Sequence, residues 1–284
     1  MKPLVIGLIY IAAAPILGGL LAGIDRIITA RMQRRVGPPI LQPFYDVAKL
    51  LQKKTVVVNR LQNPYLVCHL LFMTATGFLF FQGSDMLLII FVLTLSSVFL
   101  VLAAFSSHSA FPSVGAEREL LLIMAYEPMV LMTLVGIYKV SGSFFFYDVI
   151  ASKEKLILWL PGIFAGFVYI LTMKLRKSPF DISYSHHAHQ ELVKGITTDF
   201  SGRSLALIEI AHWYENVFLL GFIYLFFSFN PWIAAGAIAL TYLLELVIDN
   251  SFARFKWQFA FRSAWIAAMI LGGGNLIILY ALRG

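Results

Sequence analysis

A chain of 284 residues that is 60% hydrophobic and only 13% charged lies far from the composition of water-soluble domains, in which about a quarter of residues are charged. No core that fits in this length hides so much apolar surface from water, so a soluble globular fold is excluded and lipid is the solvent. The formal charge of +7 does not indicate nucleic acid, because the basic residues sit in the loops between apolar spans.

A spanning helix needs about 20 predominantly apolar residues. Eight segments qualify, at 3–24, 64–82, 86–106, 119–139, 156–174, 204–228, 231–249 and 264–282. Barrel strands are about half as long and alternate in polarity, so the prediction is an all-α integral membrane protein, with residues 1–284 forming a single multi-pass domain. No internal repeat or low-complexity tract divides it. The first span follows one lysine and lacks a small-residue cleavage site, which predicts a retained helix rather than a signal peptide.

The first connection, 25–63, is long and basic. Gly37-Pro38-Pro39 breaks any helix there. Beyond the break, Phe44, Val47, Leu50 and Leu51 recur at helical spacing opposite Asp46, Lys49 and Lys53. That pattern predicts an amphipathic helix lying in the membrane interface. Across the whole chain, 17 of the 22 Lys and Arg fall in the connections between spans 1–2, 3–4, 5–6 and 7–8, leaving only Lys2, Lys139, Lys153, Lys155 and Arg283 on the other side. The positive-inside rule then places both termini outside and the long basic loops in the cytoplasm.

An ionisable group at membrane depth costs roughly 2.5–3.5 kcal/mol on insertion scales, so each one calls for a reason. Seven acids stand in or near the spans: Glu117, Glu119, Glu127, Glu209, Glu215, Glu245 and Asp249. In the fourth span, Glu127 lies about ten residues beyond Glu117, or roughly 15 Å along a helix. Pro128 beside it is expected to open the backbone ladder locally. Glu127 is either a protonatable site on a path into the bilayer or a carboxyl neutralised by a neighbour.

The loop at 175–203 carries His186, His187 and His189, which suit a contact surface or proton exchange better than metal ligation, because adjacent loop histidines lack a defined geometry. In the sixth span Glu209, His212 and Glu215 follow one another at steps of three, a slowly winding row about 4.5 Å apart along the axis. Such a row passes a proton through water, with His titrating near neutral pH, or else is a polar stripe against other helices. Glu-x-x-His is half of a di-iron motif, but the second half is missing. Glu245 and Asp249 share one face of the seventh span and either join the path or pair with Arg254 or Lys256. Cys68 is the only cysteine, so the chain has no disulfide, no Cys-x-x-Cys and no iron–sulfur ligand set. Any electrons belong to another chain. A stand-alone secondary transporter predicts inverted repeats and paired broken helices, and neither is evident.

These stretches carry a resemblance. RRVGPPILQPFYDVAKLLQKK, GAERELLLIMAYE, KSPFDI…HQELVKGITTDFSG and FARFKWQ together resemble the membrane subunit shared by respiratory complex I (NADH dehydrogenase subunit 1 in mitochondria) and membrane-bound [NiFe] hydrogenases. The second block maps Arg118, Tyr126 and Glu127 onto the family's GA-x-R…YE pattern. The chain departs from quinone-reducing members in several places. Between PFD and ELV, a short acidic E-x-E stretch is replaced by the longer, histidine-rich ISYSHHAHQ. Lys174 and Lys177 stand where complex I has Glu and Arg, and EIAHWYE replaces LAEY. These features resemble Ech-type energy-converting hydrogenases.

The resemblance implies a coupling subunit with no catalytic residue and no cofactor or metal of its own. Its [NiFe] centre and iron–sulfur clusters would sit on partners: the hydrogenase large and small subunits and a ferredoxin-like iron–sulfur subunit, beside an antiporter-like membrane subunit. Ferredoxin electrons would reduce protons there, and this chain would couple that step to H+ or Na+ translocation. A complex I-type quinone pocket and a formate hydrogenlyase subunit are the alternatives. Glu117, Glu119, Glu127, Glu209, His212, Glu215, Glu245 and Asp249 are the expected ion path. Arg34, Arg35, Asp46, Arg118, Asp181, His189, Glu191 and Asp199 are the expected junction with the hydrogenase module, although Asp181 also suits capping a turn after Pro179.

Overall fold

The computed structural model describes residues 3–56, 59–152, 154–184 and 194–283. In chain order the helices are α1 (Pro3–Met32), α2 (Gln42–Gln52), α3 (Gln62–Gln82), α4 (Met86–Phe105), α5 (Ala110–Ser141), α6 (Phe146–Ala151), α7 (Leu156–Trp159), α8 (Pro161–Lys174), α9 (Arg203–Phe226), α10 (Pro231–Ser251), α11 (Trp257–Ala267) and α12 (Gly274–Arg283). A π-helical segment, Ala268–Gly273, joins the last two. Among the described residues no strand forms; Asp85 and Phe145 make one isolated bridge. The chain is a multi-pass, all-α membrane protein. Among the described residues seven helices are long and apolar enough to cross a membrane: α1, α3, α4, α5, α9, α10 and the run from α11 to α12.

The fifth predicted span differs from the rest. It divides into α7 and the 14-residue α8 at Leu160–Pro161. Proline disfavours the α region for the residue before it, and Leu160 accordingly sits at φ −122°, ψ 41°, outside the helical well. The fourth span is longer than expected, since α5 starts at Ala110 and so carries Glu117 and Glu119 on the helix itself. It also continues as one helix through Pro128, whose missing N–H removes one rung of the ladder there.

The chain forms two compact units. The first comprises residues 1–82, 89–120 and 183–218. Here α1 packs along α3, and small residues let backbones approach closely, as is usual between membrane helices. A Cβ on Gly18 would fall 2.5 Å from the Trp213 carbonyl oxygen, and one on Gly77 would strike the Tyr10 ring. The predicted amphipathic helix is α2. Its buried Val47 packs with Ala206 and Trp213 of α9, flanked by Phe44 and Leu50, and the Phe44 and Trp213 rings lie 5.1 Å apart.

The second unit comprises residues 83–88, 121–182 and 219–284. Its core gathers Ala125, Met173, Phe180, Ala260 and Ala264, with Tyr169 and Phe255 against them. The helix break is repaired here by one side chain. The Asn275 Oδ1 accepts from the Ile163 N–H at 3.1 Å, and its Nδ2 donates to the Trp159 carbonyl at 3.1 Å. Those are backbone groups that a helix end leaves without an intrahelical partner, which lipid cannot supply.

A row of titratable groups

In the first unit the row begins where the end of α1 meets α2. The Arg26 guanidinium donates to Asp46 at 2.5 Å, and the Gln42 amide donates to the other carboxylate oxygen at 3.0 Å. Partial burial pushes the Asp46 carboxyl up, but the hydrogen bonds from Arg26 and Gln42 outweigh it and hold the group below its ordinary value. Asp46 therefore stays ionised at neutral pH.

Glu209 on α9 lies within the fields of Arg26 and Asp46, and its carboxyl accepts a hydrogen bond from the Tyr184 hydroxyl. The same tyrosine ring stands edge-on to the His212 imidazole, with centroids 6.3 Å apart. One further step of three along α9 reaches Glu215, which is buried. Tyr10 lies within electrostatic reach of it and donates to the Tyr214 carbonyl at 2.9 Å, while the Tyr214 hydroxyl donates to the Ile11 carbonyl at 2.8 Å. The spacing of Glu209, His212 and Glu215 was legible in sequence. Burial deepens along the row, from half-buried at Glu209 and His212 to 2% exposed at Glu215.

Glu119 is buried in the same unit and accepts from the Ser183 hydroxyl. The backbone of Ser183 is tied in turn: its carbonyl accepts from the Ile196 N–H at 3.0 Å. Gly195 permits this at φ +46°, where a Cβ would fall 2.1 Å from that same carbonyl oxygen. Glu117, two residues before Glu119, points to the exposed side of α5 and does not join it.

In the second unit, Glu245 is fully buried, with Thr172, Lys177 and Asp249 within its electrostatic reach. Asp249, one turn on, accepts from the Ser178 N–H at 2.8 Å. Arg254, considered as a partner for these two acids, forms an ion pair with Asp181. Asp181 is thus held by a cation and does not serve simply as a turn cap. Burial lowers Arg254 to about 10, still well above neutral pH, so the guanidinium stays charged. Glu127 is half-buried. Two buried lysines at the end of α8 accompany these acids. Lys174 donates to the Tyr126 hydroxyl at 2.9 Å, and the Lys177 ammonium lies 5.3 Å from the centre of the Tyr242 ring.

Of the expected junction residues, Arg34 and Arg35 are exposed beyond the end of α1, while Arg118 and Asp199 are partly buried. His189 and Glu191, with His186 and His187, lie outside the described residues. Among the described residues no group of three or more His, Cys, Asp or Glu is placed to hold a metal ion. What the arrangement can do is accept, hold and pass protons, by way of carboxyls, an imidazole and phenols. Tyr10, Tyr184 and Ser183 were not singled out from sequence, because an isolated tyrosine or serine carries no periodic signal. Lys174 and Lys177 were legible as lysines ending an apolar helix, but their pairing with tyrosines was not.

The family described as NADH dehydrogenase matches residues 4–280. The chain belongs to that family. Among curated relatives, formate hydrogenlyase subunit 4 of Escherichia coli (strain K12) is 27% identical, over 93% of this chain and 94% of that protein. Hydrogenase-4 component C of the same organism is 28% identical over 87% of each. An NADH-quinone oxidoreductase subunit of Solibacter usitatus (strain Ellin6076) is 26% identical, over 81% of this chain and 65% of that one. The fold of this family member is similar to a chain of the membrane-bound sulfane sulfur reductase, an archaeal respiratory membrane complex. That match has a TM-score of 0.86 at 21% identity, covering 98% of this chain and 100% of that one. All of these relatives are parts of larger assemblies, so this family member has partner subunits.

Proposed function

We propose that this chain is the membrane anchor and coupling subunit of an energy-converting [NiFe] hydrogenase complex, linking ferredoxin-driven proton reduction on a peripheral module to H+ or Na+ translocation. The observation that carries the reading is the row Asp46–Arg26, Glu209–Tyr184, His212 and Glu215. It leads from a charged helix end to a carboxyl that water barely reaches. An isolated buried acid is a cost; a graded series of acids and an imidazole is a route. Near full-length similarity to formate hydrogenlyase and hydrogenase-4 components supports the hydrogenase side of the family. The exposed Arg34 and Arg35, with Asp181 and Asp199, supply the junction to the large and small hydrogenase subunits; the iron–sulfur and antiporter-like subunits complete the assembly. The basic loops face the cytoplasm across the cell membrane, with both termini outside.

The test uses the intact complex in membrane vesicles. Glu209→Gln and Glu215→Gln, and Glu127→Gln in the second unit, are expected to leave assembly and hydrogen evolution in place while removing ion transport linked to it. Unchanged coupled transport in the first two variants refutes the route. Competitive displacement by quinone-site inhibitors would favour the quinone-reducing side of the family instead.

A further inference from the structure

The second unit holds an apolar recess of about 340 Å³, bounded by α8, α10 and the connection that leads into α11. Along α8 it runs from Ala165 to Thr172, or about 10 Å, and it ends against Pro179 and Phe180. Thr172 and Phe180 at its floor are buried, whereas Ala165 and Phe252 at its rim are exposed. Edge-on rings fix one wall. Tyr169 meets Phe180 at 5.4 Å between centroids, Phe180 meets Phe255 at 5.5 Å, and Phe255 meets Phe259 at 4.7 Å. The Phe255 N–H donates to the Pro179 carbonyl at 3.0 Å and ties the two sides of that wall together. A recess framed in this way stays open, and its lining gains from any apolar group that enters.

The charge at one end of the recess indicates what enters it. Residues 252–267 carry Arg254, Lys256 and Arg262 and no acid. Arg254 pairs with Asp181, while Lys256 and Arg262 are exposed, and among the described residues neither of those two forms an ion pair. Lys256 directly follows Phe255 of the wall, and Arg262 stands one turn beyond Phe259 on α11. Trp257, also exposed, lies between them in the chain; an indole beside cations is the pattern of a membrane interface. We propose that the recess holds one acyl chain of an anionic phospholipid, whose phosphate lies at the interface within reach of Lys256 and Arg262. A neutral apolar molecule leaves both cations unmatched, and a partner helix packed over the rim draws them out of water. A lipid does neither, because long Lys and Arg side chains extend to the interface along their apolar stems and meet a phosphate there. The site is separate from the row of acids in the first unit and does not depend on the coupling reading.

The experiment places the intact complex in lipid nanodiscs with one of two probes, phosphatidylglycerol or phosphatidylcholine, each carrying a diazirine near the end of one acyl chain. Irradiation and peptide mass spectrometry then locate the label. In the parent protein, phosphatidylglycerol should mark residues 165–180 and 248–255 in clear excess over phosphatidylcholine. Lys256→Gln and Arg262→Gln should each cut that excess by about fivefold, the effect of one cation near an anionic surface, and leave labelling by phosphatidylcholine unchanged. Added salt should cut the excess in the parent. Ala165→Phe fills the rim and should remove labelling of Phe180 by either probe. Equal labelling by the two probes in the parent would mean an ordinary boundary lipid and overturn the site. The proposal also falls if these residues stay unlabelled in the intact complex, which assigns the recess to a partner subunit, or if Lys256→Gln and Arg262→Gln detach the peripheral module while labelling stays as in the parent. Displacement of the label by menaquinone but not by unlabelled phosphatidylglycerol would make the occupant a quinone instead.

Discussion

At the scale of single residues, position along a helix says less than the company a side chain keeps. Glu117 and Glu119 are near neighbours in sequence, yet one is exposed and the other is buried against the Ser183 hydroxyl, because two residues rotate a helix by about 200°. The Arg26–Asp46 pair shows the opposite case: a strong contact in a weakly insulating place. Their side chains are 45% and 39% exposed, so solvent screens the attraction. A double-mutant cycle with Arg26→Met and Asp46→Asn is therefore expected to give a coupling of about 0.2–1 kcal/mol in unfolding experiments, falling as salt is added. The pH dependence has a definite sign. The folded state holds the Asp46 carboxyl below its ordinary value, so the contribution is fully present above the unfolded value and fades as pH falls through the folded one. The Asp46→Asn variant should lack that acid-side loss, and an identical acid profile would remove Asp46 from it.

At the scale of elements, the fifth span is the instructive one. A hydropathy window over 156–174 reads as one helix, because it averages across Pro161. The proline itself announces the break, and Leu160 in a non-helical conformation is its direct consequence. What sequence does not show is the repair. Asn275 lies far along the chain, on the last helix, and only the packed structure brings both ends of its amide to Ile163 and Trp159. Asn275→Leu removes both bonds at nearly constant volume and leaves a buried N–H and a part-buried carbonyl without them. The expected cost is about 1–3 kcal/mol for each unpaired group, seen as a lower Tm of the protein in detergent. Asn275→Asp keeps the acceptor for Ile163 and should recover part of that loss; equal stability of the leucine variant would show that water makes up the bonds. The amphipathic α2, by contrast, was legible as a helix, since its apolar positions repeat at helical spacing; Phe44, Val47 and Leu50 pack with α9, while Leu51 is exposed.

At the scale of the whole molecule, sequence revealed most where physics is one-dimensional. The class of solvent, the number of apolar segments and the sign of the loops are sums along a chain, and lipid makes those sums decisive. Burial around each helix is not such a sum, which is why seven acids read alike in sequence, while the structure separates exposed Glu117 from buried Glu119, Glu215 and Glu245. Topology is the global property on which the direction of any ion route depends, and it yields a direct test. Cys68 is the only cysteine, so Cys68→Ser supplies a background free of thiols. Arg34→Cys and Phe145→Cys then place single thiols at two exposed positions, one in the basic first connection and the other ahead of α6 in a connection with few cations. The asymmetry of 17 against five basic residues predicts that an impermeant thiol reagent reaches Phe145→Cys from outside intact cells, and Arg34→Cys only in inverted vesicles. The reverse labelling would turn the protein over in the membrane. The charged end of the Glu209–Glu215 row would then open to the outside, away from a cytoplasmic electron donor, and the coupling reading would have to be given up with the topology.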